Sequence, residues 1–124
     1  MLKKLFIVDD NKTLRKCYIK YIVACRNIYE IREASSGLEA QKVLFEEKYK
    51  PDCMMLDNEM PGGIMGIDLL RKMHKENLIE RINLIMCSGS ITKQLEEEIR
   101  SYGVKILKKP FMLQNLMECF DNNY

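Results

Sequence analysis

Three carboxylates, a hydroxyl and an ammonium stand in this chain where apolar runs give out. Leu5–Val8 runs into Asp9-Asp10, and Cys53–Leu56 runs into Asp57. Leu84–Cys87 runs into Ser88-Gly89, and Val104–Leu107 is followed by Lys108, Lys109 and Pro110. Carboxylates held close together repel one another, and a divalent cation relieves that repulsion. All-oxygen ligation suits Mg²⁺, which takes one or two carboxylates, waters and phosphate oxygens. Such a cation also offsets charge on a phosphoryl group in transit. A carboxylate can itself be the nucleophile and form an aspartyl phosphate. Lys109 would then balance the added charge, and Ser88 would donate a hydrogen bond to a phosphoryl oxygen.

Each of these residues also has an ordinary use. One of Asp9 and Asp10 is expected to cap the helix that follows. Asp57 can close its strand by bonding the backbone two residues on. Ser88-Gly89 suits a turn, and Lys108-Lys109 suits a solvated pair. Their common position is what argues for chemistry, and it depends on the elements that carry them.

Five apolar runs recur at fairly even intervals: Leu5–Val8, Tyr29–Arg32, Cys53–Leu56, Leu84–Cys87 and Val104–Leu107. Helical periodicity fills the gaps. Leu14, Tyr18, Tyr21, Ile22 and Cys25 mark one face of the first helix. Leu38, Val43, Leu44 and the stem of Lys48 mark the second, with a serine of Ser35-Ser36 as its cap. Ile67, Leu70 and Met73 mark the third. Leu95, Ile99 and Tyr102 mark the fourth, which Gly103 ends. Met112, Leu116 and Phe120 mark the fifth. Pro51 precedes the third strand. Alternating strands and helices predict an α/β fold, (βα)₅, with a parallel sheet covered on both faces. Ligands of such sheets sit at the carboxyl ends of the strands, where the five polar residues gather.

The chain has 124 residues, 47% of them apolar, which fits one domain over residues 1–124 with its own core. Twenty basic and eighteen acidic residues give a net charge of +2, too balanced for a nucleic-acid stripe. No apolar run approaches a membrane span, and the opening MLKKLFIVDD reads as a buried strand rather than a signal peptide. The five cysteines form no CxxC pair, and Cys53 and Cys87 sit in apolar runs as small hydrophobes. A reduced, cytoplasmic protein is the expectation. His74, the one histidine, is expected on an exposed helix surface. Glu96-Glu97-Glu98 is expected to be a solvated face, and the nine methionines mostly core filler.

Four segments, FIVDDN, KPDCMMLDNEMPGG, LIMCSG and LKKPF, occur in order and properly spaced. Together they resemble the receiver domain of two-component response regulators, of the chemotaxis-regulator kind, over essentially the whole chain. The resemblance implies a flavodoxin-like three-layer sandwich whose parallel five-stranded sheet has strand order 2-1-3-4-5. It implies that Asp57 accepts a phosphoryl group from a sensor histidine kinase or a histidine phosphotransfer protein. Asp9, Asp10, Asp57 and the backbone carbonyl of Glu59 would hold Mg²⁺, Asp9 partly through water. Ser88 and Lys109 would contact the phosphoryl group, and the Lys109-Pro110 bond would be cis. The face of helix four, strand five and helix five would rearrange to signal a downstream protein, from a monomer or a phosphorylation-dependent dimer. Chemistry would be confined to self-phosphorylation and self-dephosphorylation, with no separate turnover substrate, no direct nucleic-acid binding and no membrane.

Three positions depart from the family pattern. Ile106 stands where an aromatic usually precedes the strand-five lysine, which rules out the aromatic rotamer switch in its usual form. The loop GGIMG puts Met65 where an acid usually precedes the glycine. Glu59 adds an acid that would either slow attack by water or shape access. Three rival readings follow other patterns. FIVDDNKT aligns with a haloacid-dehalogenase-like phosphatase using Asp9 and Thr13, but Asn11 replaces its acid–base aspartate. A flavin mononucleotide carrier would meet repulsion from Asp9-Asp10. A receiver fold that docks partners without phosphorylation is the third.

Overall fold

The computed structural model describes residues 2–26 and 29–121. Five strands, β1 (Lys3–Val8), β2 (Tyr29–Ala34), β3 (Cys53–Asp57), β4 (Asn83–Ser88) and β5 (Lys105–Lys108), form one sheet. Its order is β2-β1-β3-β4-β5, and every neighbouring pair is parallel. The helices are α1 (Lys12–Cys25), α2 (Gly37–Gln41), α3 (Gly66–Lys75), α4 (Lys93–Ser101) and α5 (Leu113–Asp121). A π-helical segment over Lys42–Glu46 extends α2, and a 3₁₀ turn over Ile79–Arg81 precedes β4. The (βα)₅ expectation and its strand order are both met.

The period of two along each strand divides the core into two layers. Phe6, Val8, Met54, Leu56, Leu84 and Met86 face Val43, Leu44, Ile67, Leu70, Met73 and Ile99, from the α2–α3–α4 side. Leu5, Ile7, Cys53, Met55, Ile85 and Cys87 face Tyr18, Ile22, Leu116, Met117 and Phe120, from α1 and α5. Central β3 is buried at all five positions, whereas edge strand β2 has one fully buried residue, Ala34. That contrast is why CMML reads as an unbroken apolar run and YEIREA does not.

Several expected core positions are corrected. Leu38 is exposed, and Ala40 takes its place beside Val43 and Leu44. Five residues separate Leu38 from Val43, which is about 140° around an α-helix, so the two cannot share a face. Lys48 lies beyond the helix, exposed, with a φ of 56°. Cys25, at the last turn of α1, is exposed, and Arg15 is buried on the α1 face instead. Met112 precedes α5 and is exposed. Ser36 caps α2 as expected, accepting from the Glu39 N–H. Gly103, at φ 79°, ends α4 in the left-handed conformation that glycine adopts freely.

The acidic run of α4 is not a plain solvated face. Glu98 accepts from Arg71 Nε at 2.7 Å, from Arg71 Nη2 at 2.8 Å and from the Tyr102 hydroxyl at 2.7 Å. The Arg71 hydrogen bonds, with that of Tyr102, pull the Glu98 carboxyl down to about 2. Glu96 pairs with Lys108 at 2.9 Å and Arg100 at 3.3 Å. The Arg71 and Lys108 ties depend on α3 and β5 lying beside α4, which no local pattern encodes, whereas those of Arg100 and Tyr102 are local i,i+4 pairs. His74 is exposed on α3, as expected, and lies against the Tyr102 ring. No helix among the described residues is long and apolar enough to cross a membrane.

Candidate functional site

Because all five strands run the same way, their carboxyl ends share one edge, and four of them, β1, β3, β4 and β5, deliver polar residues there. Asp9 follows β1 and is buried, its N–H bonded to the Ala34 carbonyl at 3.1 Å. Its Oδ1 accepts from the Asn11 N–H at 2.8 Å. The expectation that Asp9 or Asp10 caps α1 is corrected. Asn11 is the cap, its side chain accepting from the Leu14 N–H at 3.0 Å. The shorter reach from Asn11 to the first turn leaves both acids at the sheet edge.

Arg15 fixes this corner, and the sequence reading passed over it. Its Nη1 donates to the Asp9 carbonyl at 2.6 Å and its Nε to Glu33 at 2.9 Å. The available signal was positional: Arg15 lies three residues before Tyr18 on the helix face that turns inward.

Asp57 is the last residue of β3, opposite Cys87 of β4, and is 3% exposed. The chain leaving it is tied down at once. The Asn58 N–H donates to the Cys87 carbonyl at 2.9 Å, and Asn58 Oδ1 accepts from the Ile67 N–H at 2.9 Å. The Gly66 N–H donates to the Asn58 carbonyl at 3.0 Å. A Cβ on Gly66 would stand 2.5 Å from the Asp57 carbonyl oxygen, so α3 can start this close to the strand only from a glycine. Met65, in the place of the usual acid, is exposed, and Asp68 accepts from its N–H at 2.8 Å. Between Asn58 and Met65, Gly62 and Gly63 take φ values of 98° and 91°.

Lys109 comes in from the far side. Its N–H donates to the Ser88 carbonyl at 2.8 Å, and its peptide bond to Pro110 is cis, as expected. Its ammonium lies 3.1 Å from Asp57 Oδ1 and 3.8 Å from Asp9 Oδ2. Asp9, Asp10 and Asp57 each offer a carboxylate oxygen within 4.8 Å of the others. Burial pushes the Asp57 carboxyl up to about 6, the charges of Asp9 and Glu59 adding to it against the pull of Lys109. Burial alone would lower the Lys109 pKa, but its bond and charge contact with Asp57, and the Asp9 charge, leave it raised. Three converging carboxylate oxygens, two of them from buried residues, form the hard, oxygen-only donor set that suits a divalent cation such as Mg²⁺.

Ser88 is buried at the end of β4, but its hydroxyl does not point at Asp57. Its Oγ donates to Glu59 Oε2 at 2.5 Å, while the Gly89 N–H donates to Glu59 Oε1 at 2.6 Å. A hydroxyl has one proton, and the short contact to Glu59 takes it in preference to the Ser90 carbonyl at 3.1 Å. Ile106 pairs with Met86 in the sheet and packs into the core on the α2–α3–α4 side, away from the acids. The edge therefore gathers Asp9, Asp10, Asp57 and Lys109 into one cluster and joins Ser88 to Glu59 beside it.

Comparison with known proteins gives a consistent picture. The sequence model of the response regulator receiver domain matches residues 5–121. Chemotaxis protein CheY of Listeria monocytogenes is 31% identical over 119 residues, spanning 95% of this chain and 95% of that protein. Chemotaxis protein CheY-3 of Vibrio cholerae is 29% identical, spanning 95% of this chain and 88% of its own. Among solved structures, a LuxR-family DNA-binding response regulator from Staphylococcus aureus superposes with a TM-score of 0.81. It is 27% identical, with 97% of each chain covered. Chemotaxis protein CheY4 of Vibrio cholerae shares the fold at 20% identity, with a TM-score of 0.81 over the full length of both chains.

Proposed function

This chain belongs to the family of response regulator receiver domains, and on that premise we propose that Asp57 is its phosphoacceptor in a two-component phosphorelay. The observation that carries the reading is the setting of Asp57: a buried carboxylate within 4.8 Å of those of Asp9 and Asp10, with the Lys109 ammonium at 3.1 Å. The donor is a phosphohistidine of a sensor kinase or a phosphotransfer protein. An Asp57 carboxylate oxygen forms a bond to phosphorus. The phosphorus–nitrogen bond breaks, and its electron pair stays on the imidazole. With Asp57 titrating near 6, the carboxylate is mostly ionised and nucleophilic at neutral pH.

Asp9, Asp10, Asp57 and the Glu59 carbonyl would hold Mg²⁺, whose charge offsets that of the carboxylates and of the phosphoryl oxygens. Lys109 is poised to move its hydrogen bond from Asp57 to a phosphoryl oxygen. Asp57 and Lys109 are anchored in β3 and beside β4 respectively, so little reorganisation is needed when charge arrives. Asn58 and Gly66 hold the acceptor in place, and Arg15 holds the Asp9 corner.

A phosphoryl group adds roughly 1.5 to 2 negative charges at one point. The added charge shifts the population of the α4–β5–α5 face toward a state that a downstream protein reads. Ile106 offers no aromatic rotamer for that shift. On this reading the receiver domain is a cytoplasmic signalling component without a separate turnover substrate.

Intact mass after incubation with acetyl phosphate tests the reading, with and without Mg²⁺, on wild type, Asp57→Asn and Asp9→Asn. A Mg²⁺-dependent, hydroxylamine-labile adduct that Asp57→Asn abolishes is the expected result. An adduct retained in Asp57→Asn and lost only in Asp9→Asn would move the nucleophile to Asp9. No adduct under any condition would favour a docking module that works unmodified.

A further inference from the structure

Two of the edge's best hydrogen-bond donors are already in use. The Ser88 hydroxyl and the Gly89 N–H each bind a different oxygen of the same carboxylate, Glu59, at 2.5 and 2.6 Å. Both distances are in the short range of charge-assisted bonds. Glu59 lies two residues beyond Asp57 on the same strand exit, so its carboxylate reaches these donors intramolecularly. A carboxylate presents two oxygens at nearly the spacing of two oxygens of a phosphoryl group. A phosphoryl group on Asp57 would need the same Ser88 hydroxyl and would be repelled by Glu59 if both stayed.

We infer that Glu59 is an internal occupant of the phosphoryl-binding donors, holding Ser88 and Gly89 until a phosphoryl group on Asp57 displaces it. The inference rests on the phosphoacceptor reading of Asp57. It assigns the extra acid a definite part: Glu59 opposes phosphorylation, and its release is a two-state exchange of one anion for another. The exchange frees the strand exit that Glu59 ties to the β4–α4 turn. The chain beyond it can accommodate the change, since Gly62 and Gly63 have open space around them and positive φ. It also gives this chain a switching contact that does not depend on an aromatic at position 106. The effect belongs to the reach of the side chain as well as its charge, because one oxygen must meet each donor.

The test uses the full chain and three variants, Glu59→Ala, Glu59→Gln and Glu59→Asp. Amide NMR of the unphosphorylated protein reads the clamp directly. The Gly89 amide proton is expected far downfield in wild type. It should move upfield in Glu59→Ala and Glu59→Asp, with Glu59→Gln between. Intact mass then follows phosphorylation by acetyl phosphate with Mg²⁺. Glu59→Ala is expected to phosphorylate about tenfold faster than wild type, the scale of one charge-assisted hydrogen bond no longer competed for. Glu59→Asp should be faster too, although it keeps the charge. A wild-type rate in Glu59→Asp would overturn the clamp in favour of simple charge repulsion. A Gly89 amide unmoved by Glu59→Ala, or a rate unchanged or lowered in that variant, would also overturn it. Absence of label in every chain, wild type included, would reject the phosphoacceptor reading itself and this inference with it.

Discussion

Lys109 Nζ lies 3.1 Å from Asp57 Oδ1 and 3.8 Å from Asp9 Oδ2, making it the cation shared by two buried carboxylates 48 residues apart in sequence. Removing it leaves both acids uncompensated in a setting that screens charge poorly. Lys109→Met is expected to lower stability by about 2 kcal/mol at pH 8, less than for a fully buried pair because Lys109 keeps some exposure. The loss should shrink below pH 6, where Asp57 takes up a proton. Urea midpoints at pH 5 and pH 8 check this. Equal losses at the two values would mean that Lys109 does not compensate Asp57.

Asp57 itself destabilises the metal-free fold. Its carboxyl titrates near 6 in the folded chain, against 3.8 for the free group. Between these values the folded state binds more protons than the unfolded one, so stability falls as pH rises through that window. Above pH 6 the deficit reaches about 2 to 3 kcal/mol. Asp57→Asn is therefore expected to be more stable than wild type by that amount at pH 8 without metal, with the gap closing below pH 4. Mg²⁺ should stabilise wild type at pH 8, since a ligand of the folded state alone raises its stability, and should stabilise Asp57→Asn less. Chemical denaturation from pH 4 to 8, with and without Mg²⁺, measures all four arms. A gap that widens toward acid would contradict the sign.

Gly66 sets how closely α3 approaches the strand exit. A Cβ there would meet the Asp57 carbonyl oxygen at 2.5 Å and Asn58 Cα at 2.8 Å, both backbone atoms that cannot turn aside. Gly66→Ala is expected to destabilise by about 2 kcal/mol through forced backbone shifts and to slow phosphorylation by displacing Asp57. Gly103→Ala, at the end of α4, meets no neighbour but must hold a φ of 79°. It should lose about 1 kcal/mol and leave phosphorylation unchanged. Thermal melts beside acetyl phosphate labelling compare the two. Equal effects would show that close packing at Gly66 is unimportant.

The sequence was legible where a property is local. Strand-to-helix alternation follows from hydrophobic period, and an apolar run that stops on Asp57 marks both a strand and its end. Because parallel strands all finish at one edge, the placing of Asp9, Asp10, Asp57, Ser88 and Lys109 along that edge could be read from strand ends alone. Local pattern failed at element boundaries. Met112 sits at helical spacing from Leu116 but before the helix begins, and Leu38, about 140° around from Val43, falls outside the inward face. It also assigned the α1 cap to an aspartate, when Asn11, one residue closer, takes it.

What the tertiary structure alone decided are the partners of charged side chains across elements. Glu59 and Ser88 are 29 residues apart, Arg71 and Glu98 are 27, and Arg15 and Glu33 are 18. Nothing in the spacing of such pairs fixes their meeting, because each contact depends on strand order and on the turn a loop makes after leaving the sheet. The sequence determined which residues stand at the reactive edge, since the end of an apolar run is a short-range property. Which of them are free and which already hold one another is long-range, and packing of β3 against β4 gave the Ser88 hydroxyl to Glu59.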